Sequence, residues 1–216
     1  MYVKDRMVTN LITADVNATV SEVLQMMKDN DLHRIPIMEN GVLKGLITES
    51  VITSNTPNNA SSLSIYEINY MLNNIKAFEI MIKNPITIHP DELLEEAALK
   101  MRKNNIGCLL VSDGDKLNGI ITLNDIFDAF VDLLGYLQNG TRYVINIQED
   151  KVGILNDISA CFKDCDISIS NLAVYKTSRG IEVVVIANGE NSDKALDSLR
   201  NAGYNVTSVL ELKNAK

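Results

Sequence analysis

Apolar positions along the chain change period at regular intervals, and each change marks an element. Val20, Val23, Leu24 and Met27 share one face of a 3.6-residue period, so a helix is expected there. Arg34 to Met38 and Val42 to Thr48 then read as two strands around Glu39-Asn40-Gly41, the residue chemistry of a hairpin turn. The same succession returns later in the chain. Leu94, Ala97, Ala98 and Met101 predict a helix, and Cys108 to Ser112 with Leu117 to Thr122 predict strands around Asp113-Gly114-Asp115. Short strands at Ile12-Thr13 and Ile86-Thr87 lead into the helices, and a further helix closes each β-α-β-β-α unit. The second closing helix, with Ile126, Phe127, Phe130, Leu133, Leu134 and Leu137, is expected to stop at Gln138-Asn139-Gly140.

The return is a duplication without gaps. Residues 7–52 fall on 81–126 at an offset of 74, with Met7, Asn10, Ile12, Thr13, Glu22, Met27, Asn30, Leu43, Gly45, Ile47, Thr48 and Ile52 each meeting its own kind. Between the copies, residues 54–62 form a polar stretch and 63–75 an amphipathic helix with Ile65, Ile68, Met71, Leu72 and Ile75 on its apolar side. That side either covers the duplicated unit's own core or meets a second chain. After residue 140 the pattern differs. Strands at 142–148, 167–176, 181–188 and 206–212 and helices at 150–163 and 193–202 give the order β-α-β-β-α-β, that of a ferredoxin-like sandwich. The expected segments are therefore 1–53, 54–80, 81–137 and 141–213.

Composition narrows the function classes. A hydrophobic fraction of 46% against 22% charged residues is that of a globular protein rather than a disordered one. The net charge of -8, without a Lys/Arg block or a Trp, argues against a nucleic-acid partner, because such affinity comes from cationic neutralisation. Charges at Lys4, Asp5 and Arg6 occupy the place of a signal peptide's apolar core, and no apolar run approaches about 18 residues. A cytoplasmic protein without membrane association is expected. Cys108, Cys161 and Cys165 read as buried thiols rather than a disulfide or a metal set, and two histidines, His33 and His89, are too few for a His-rich metal centre. His89, ahead of Pro90-Asp91-Glu92, reads as a turn residue.

The candidate chemistry lies in Gly119-Ile120-Ile121-Thr122-Leu123-Asn124-Asp125. A strand ends in a hydroxyl and a carboxylate follows three residues later as helical spacing resumes. Thr122 and Asp125 are ordinary capping residues at such a junction, and the same carboxylate suits a pair of sugar hydroxyls. His33-Arg34 carries two readings as well: a surface cationic pair, or a phosphate contact that uses guanidinium geometry. No nucleophile-base pair, Walker-type glycine loop or acid-base carboxylate pair is legible, so no catalytic residues are assigned.

The doubled unit, with the Gly-x-x-Thr-x-x-Asp signature of its second copy and the strand Leu32-His33-Arg34-Ile35-Pro36-Ile37, resembles a tandem pair of CBS domains, a Bateman module, over roughly residues 1–135. The C-terminal unit, with Glu149-Asp150-Lys151-Val152-Gly153-Ile154-Leu155, resembles an ACT domain, with Val where many members have Pro. The combined order is similar to the acetoin-utilisation AcuB family. The resemblance implies a non-catalytic sensor that binds an adenosyl ligand (AMP, ADP, ATP or S-adenosylmethionine) between the repeats, possible control of acetoin or acetate metabolism, and a homodimer. One site would combine Thr122 and Asp125 with Asn10, Ile12, His33, Arg34 and Pro36. The mirror site has Val51 in place of the Asp and no cation in Gly107-Cys108, so it is expected to be weak or empty. In the ACT-like unit, Val152, Gly153 and Ile154 would meet an effector, often an amino acid, facing Ser170 and Asn171 of a neighbouring unit; dimerisation alone is the other reading. A structural dimerisation module with a non-functional cleft is the alternative for the whole chain.

Overall fold

The computed structural model describes residues 1–55, 65–149, 151–178, 180–189 and 191–213, with the backbone alone over 65–69. Expectations that fall on 56–64, on Asp150 or on Arg179 lie outside the described residues. The chain divides into two compact units, Met1–Ile126 and Phe127–Lys216.

Over residues 1–133, each copy builds a helix, a hairpin and a closing helix at the same offset of 74, the second closing helix running past the end of the first unit. The first copy has α1 (Val20–Asp29), β2 (Arg34–Glu39), β3 (Val42–Thr48) and α2 (Glu49–Asn55); the second has α5 (Leu94–Asn104), β6 (Cys108–Asp113), β7 (Lys116–Thr122) and α6 (Leu123–Leu133). Helix α1 starts where Thr19 caps it: its Oγ1 accepts from Glu22 N at 3.1 Å, and its own N donates to Glu22 Oε2 at 2.7 Å. Val20, Val23 and Met27 are buried on its inner face, as Leu94, Ala97 and Met101 are on that of α5. Both hairpins carry a register shift at equivalent places, between Ile37 and Met38 and between Val111 and Ser112.

The short strands before the helices lie later than the apolar pattern implied. They are β1 (Ala14–Asp15) and β5 (Thr87–Ile88), parallel to β2 and β6. Ala14 is buried in the first core, whereas Ile12, ahead of the strand, is half-buried between that core and a cavity wall. The second closing helix also stops earlier than expected, at Leu133 rather than 138–140. Gly135, at φ +70°, turns the chain, and its N donates to Asp132 O at 3.0 Å.

The two copies exchange their leading segments. Val8 pairs with Ile120 of β7, and β4 (Ile82–Lys83) pairs with Gly45 and Leu46 of β3. Glycine is required where these segments cross. A Cβ on Gly119 would stand 2.8 Å from Val8 O, and one on Gly45 would stand 2.9 Å from Ile82 O. The exchange continues outward: Val3–Asp5 forms a 3-10 turn, α4 spans Ala77–Ile80, and Tyr2 bridges Leu93 as Lys76 bridges Thr19. Leu46, Cys108, Leu110 and Ile120 form a shared apolar seam between the hairpins. Of the linker helix α3 (Ile65–Asn74) and the residue after it, Leu72 and Ile75 pack on the first copy's core, in favour of the covering reading.

The second unit has the order β8 (Gly140–Ile147), α7 (Ile154–Lys163), β9 (Ser168–Thr177), β10 (Gly180–Asn188), α8 (Ser192–Asn201), β11 (Asn205–Leu212). Its sheet is antiparallel, in the order β11-β8-β10-β9. Helices α7 and α8 bury Ile158, Phe162, Ala195 and Leu199 against Tyr143, Ile145, Val183 and Val185. Tyr143 meets the Phe162 ring edge-on at 5.2 Å and donates its hydroxyl to Ser192 O at 3.0 Å; burial pushes that hydroxyl's pKa up. All three cysteines are free. Cys108 and Cys161 are buried and Cys165 is half-buried.

Candidate functional site

The strand ends of β2 and β7 and the segment after Val8 enclose a cavity of about 390 Å³. Of the seven residues expected at the site, Asn10, Ile12, His33, Arg34, Pro36 and Thr122 line it. Asp125 stands directly behind Thr122: its Oδ2 accepts from Thr122 N at 2.7 Å and from Thr122 Oγ1 at 2.8 Å. Oδ1 has no partner among the described residues. The carboxylate therefore caps α6 with one oxygen and retains an acceptor. Apolar walls come from Val8, Leu11, Ile12, Leu32, Pro36 and Ile120, which offer flat contact for a planar group. The sequence did not single out Asp31 and Asn124, both of which also line the cavity. Asn124's neighbourhood to Thr122 was a usable signal for it; Asp31, at φ +52° just after α1, had none.

A second cavity, about 450 Å³, occupies the equivalent place at the end of β3. Ile82, Asn84, Ile86, Leu46, Thr48 and Ser50 line it where Val8, Asn10, Ile12, Ile120, Thr122 and Asn124 line the first. Val51 stands where the first site has Asp125, and its N donates to Thr48 Oγ1 at 3.3 Å; Thr48 Oγ1 and Ser50 Oγ lie 2.8 Å apart. The mirror cavity's own segment, Gly107-Cys108, supplies no cation, but Arg34 and His33 of the other copy line both spaces. Arg34 Nη1 reaches across the duplication to donate to Gly107 O at 3.1 Å, and His33 Nδ1 lies 3.0 Å from Glu49 Oε2.

His89 sits in the turn before α5, where Asp91 N donates to its Nδ1 at 3.2 Å. Among the described residues, no cluster of three or more His, Cys, Asp or Glu side chains is placed to hold a metal, and no helix is long and apolar enough to cross a membrane.

In the second unit, Val152 is fully exposed and Gly153 is the N-cap of α7 at φ +90°, which starts that helix later than residue 150. Gly153 and Ile154 line a space of about 290 Å³ with Lys151, Leu155, Val174 and Val183. Ser170 and Asn171 lie elsewhere on the same strand: Val174 pairs with Val183 beside that space, but Asn171 pairs with Ile186. Ser170 Oγ donates to Ile186 O at 3.1 Å and Asn171 Nδ2 to Leu133 O at 2.6 Å. Within one chain these two residues do not join Val152, Gly153 and Ile154. The buried Oδ1 of Asn171 has no hydrogen-bond partner.

Two strand-exchanged copies with a cavity at each copy's strand-to-helix junction define a paired-repeat module of mixed α/β fold. The CBS domain model matches residues 3–55 and 77–132, and the chain belongs to the CBS domain family. It is 32% identical over 142 residues to the CBS domain-containing protein DDB_G0289609 of Dictyostelium discoideum, covering 62% of this chain and 94% of that protein. It is 30% identical over 124 residues to the CBS domain-containing protein YhcV of Bacillus subtilis, covering 57% and 81%. Among solved structures, a putative acetoin utilization protein (AcuB) from Vibrio cholerae matches with TM-score 0.53 and 26% identity over 62% of this chain and 93% of that one. The CBS domain pair of protein MJ0100, in complex with 5-methylthioadenosine and S-adenosyl-L-methionine, matches with TM-score 0.51 and 30% identity over 61% and 97%.

Proposed function

We propose that this chain is a non-catalytic regulatory protein that binds an adenosyl ligand, AMP, ADP, ATP or S-adenosylmethionine, in the cavity between its repeats. The carrying observation is the convergence on one 390 Å³ space of Asn10, Ile12, His33, Arg34, Pro36 and Thr122, with Asp125 behind. The apolar walls accept the base, Thr122 and the open oxygen of Asp125 accept the ribose, and Arg34 faces a phosphate or carboxylate. The ligands carried by the MJ0100 pair support the adenosyl class. A ligand regulates only through differential affinity for two arrangements of the repeats. The exchanged leading segments tie each repeat to the other, which makes such a change cooperative.

The second unit reads as a ferredoxin-like, ACT-type domain, supported by its element order and its sheet order. Its assigned work is effector binding around Val152, Gly153 and Ile154, or dimerisation, with Ser170 and Asn171 meeting the effector from a second copy. The segments 1–53, 54–80, 81–137 and 141–213 are the working divisions of the whole chain, in a cytoplasmic homodimer. Likeness to the Vibrio protein supports a place in acetoin metabolism. The second reading is a dimerisation module, favoured by the internal capping of Asp125.

Thermal unfolding with each adenosyl compound and with amino acids tests the choice. A ligand at 100 times its dissociation constant adds about 2.7 kcal/mol. The expected result is stabilisation by an adenosyl compound, lost in Asp125→Ala. No shift with any compound leaves the dimerisation module.

A further inference from the structure

The two cavities of the first unit are related by the duplication, yet they are not separate. His33, Arg34 and Gly107 line both. Among the described residues, Arg34 is the only Lys or Arg on either wall. Its bond to Gly107 O at 3.1 Å holds the guanidinium on the lip common to the two spaces. His33 is engaged by Glu49 on the second wall at 3.0 Å, and the other ionisable side chains lining the two spaces are the carboxylates of Asp31 on the first wall and Glu49 on the second and the thiol of Cys108 on the second, none of them a cation. A phosphate in either cavity therefore has the same single permanent cation to meet.

We propose that Arg34 is one phosphate receptor shared by two cavities, so that the chain holds a single phosphorylated adenosyl ligand and accepts only a phosphate-free adenosyl compound beside it. This rests on the adenosyl reading given above and adds the rule of joint occupancy. A bidentate anion neutralises the one positive charge of the guanidinium, and a second anion within a Debye length adds repulsion without a second cation to offset it. The second cavity otherwise has what a nucleoside uses: apolar Leu46, Ile82 and Ile86, and the hydroxyls of Thr48 and Ser50. It lacks the carboxylate, because Val51 replaces it.

Titration calorimetry of the full chain with AMP and adenosine tests the rule. Val51→Asp gives the second cavity the acceptor that Asp125 gives the first. This variant is expected to bind two adenosines with affinities within about threefold, and a second AMP about tenfold or more weaker than the first. Adding Gly107→Arg, where a new Cβ meets no atom within 4 Å, supplies a second cation and closes that gap. In the otherwise unaltered chain, Arg34→Gln weakens AMP by about tenfold or more and adenosine by less than about threefold. Two AMP molecules of equal affinity in Val51→Asp, no second adenosine there, or AMP binding indifferent to Arg34→Gln each overturns the sharing while leaving the nucleotide reading intact. Failure of the unaltered chain to bind either probe overturns that reading and the sharing with it.

Discussion

The two strand-to-helix junctions of the first unit share a backbone and differ in chemistry. Thr48-Glu49-Ser50-Val51 and Thr122-Leu123-Asn124-Asp125 both end a strand and start a helix. At the later junction a carboxylate takes the Thr122 amide at 2.7 Å and its hydroxyl at 2.8 Å; at the earlier one Thr48 Oγ1 pairs with Ser50 and accepts from Val51 N at 3.3 Å. Ile47 and Ile121 nevertheless remain fully buried one residue before each Thr. Packing holds the scaffold in both copies, while the polar end of each junction is free to diverge. A duplicated fold can thus retain two cavities and make them chemically unequal.

The strongest way to break this comparison is at the crossings, where the copies depend on each other. Gly119→Val is expected to cost roughly 3 kcal/mol, because the added Cβ meets a backbone oxygen that only a shift of the leading segment can relieve. Gly107→Ala, in open space, is expected to stay within about 0.5 kcal/mol. Urea unfolding of both variants and of Gly45→Val checks the symmetry: the two crossing glycines should cost alike. A free substitution at either one would show that the exchange carries little stability.

A smaller effect sharpens the difference between the junctions. Asp125→Ala removes the acceptor of two Thr122 donors and should cost about 1 to 2 kcal/mol without ligand. Val51→Asp should stabilise by about 0.5 to 1 kcal/mol if a carboxylate at the earlier junction adopts the same cap. Unequal signs for these two substitutions in unfolding midpoints are the expected outcome. Tyr143→Phe, in the second unit, serves as a reference outside the comparison: loss of the hydroxyl bond to Ser192 O should cost about 1 kcal/mol.

Much of this arrangement was legible in residue order. The hairpins follow from their apolar runs and from Asn40-Gly41 and Gly114, and the duplication by itself aligns Thr122 with Thr48. Two features escaped for physical reasons. The exchange of leading segments is a long-range pairing that local periodicity does not encode, although Met7 and Met81 recurring with Gly45 and Gly119 carried its trace: each Met side chain lies against the other copy's glycine. The shared role of Arg34 escaped because alignment assigns each residue to one copy, whereas a long side chain at the seam reaches both. In the C-terminal unit, Gly153 at φ +90° delays α7 beyond the start that apolar spacing gave, and Asn171 is engaged by a carbonyl its own strand does not supply.

The smallest expected effect concerns the caps of α1 and α5, which the duplication made equivalent and substitution made unequal. Thr19 offers a side-chain oxygen to Glu22 N, whereas its counterpart Leu93 offers none, and only the return bond from Leu93 N to Glu96 Oε2 at 2.9 Å remains. The backbone and side-chain bonds from Thr19 hold the Glu22 carboxyl below its ordinary pKa. A folded pKa below the unfolded one means that the ionised carboxylate favours the folded state. Its contribution is complete above the unfolded pKa and is lost as pH falls through the folded value. Glu22→Gln should therefore lower the unfolding midpoint at neutral pH and converge with the unaltered chain as pH drops below the carboxylate range. Leu93→Thr should raise it by about 0.5 to 1 kcal/mol at neutral pH by completing the second box. Unfolding midpoints measured from pH 7 down into the acid range separate the two origins. Convergence at low pH locates the effect in the Glu22 charge, and a constant offset assigns it to the altered hydrogen bonding of the isosteric amide.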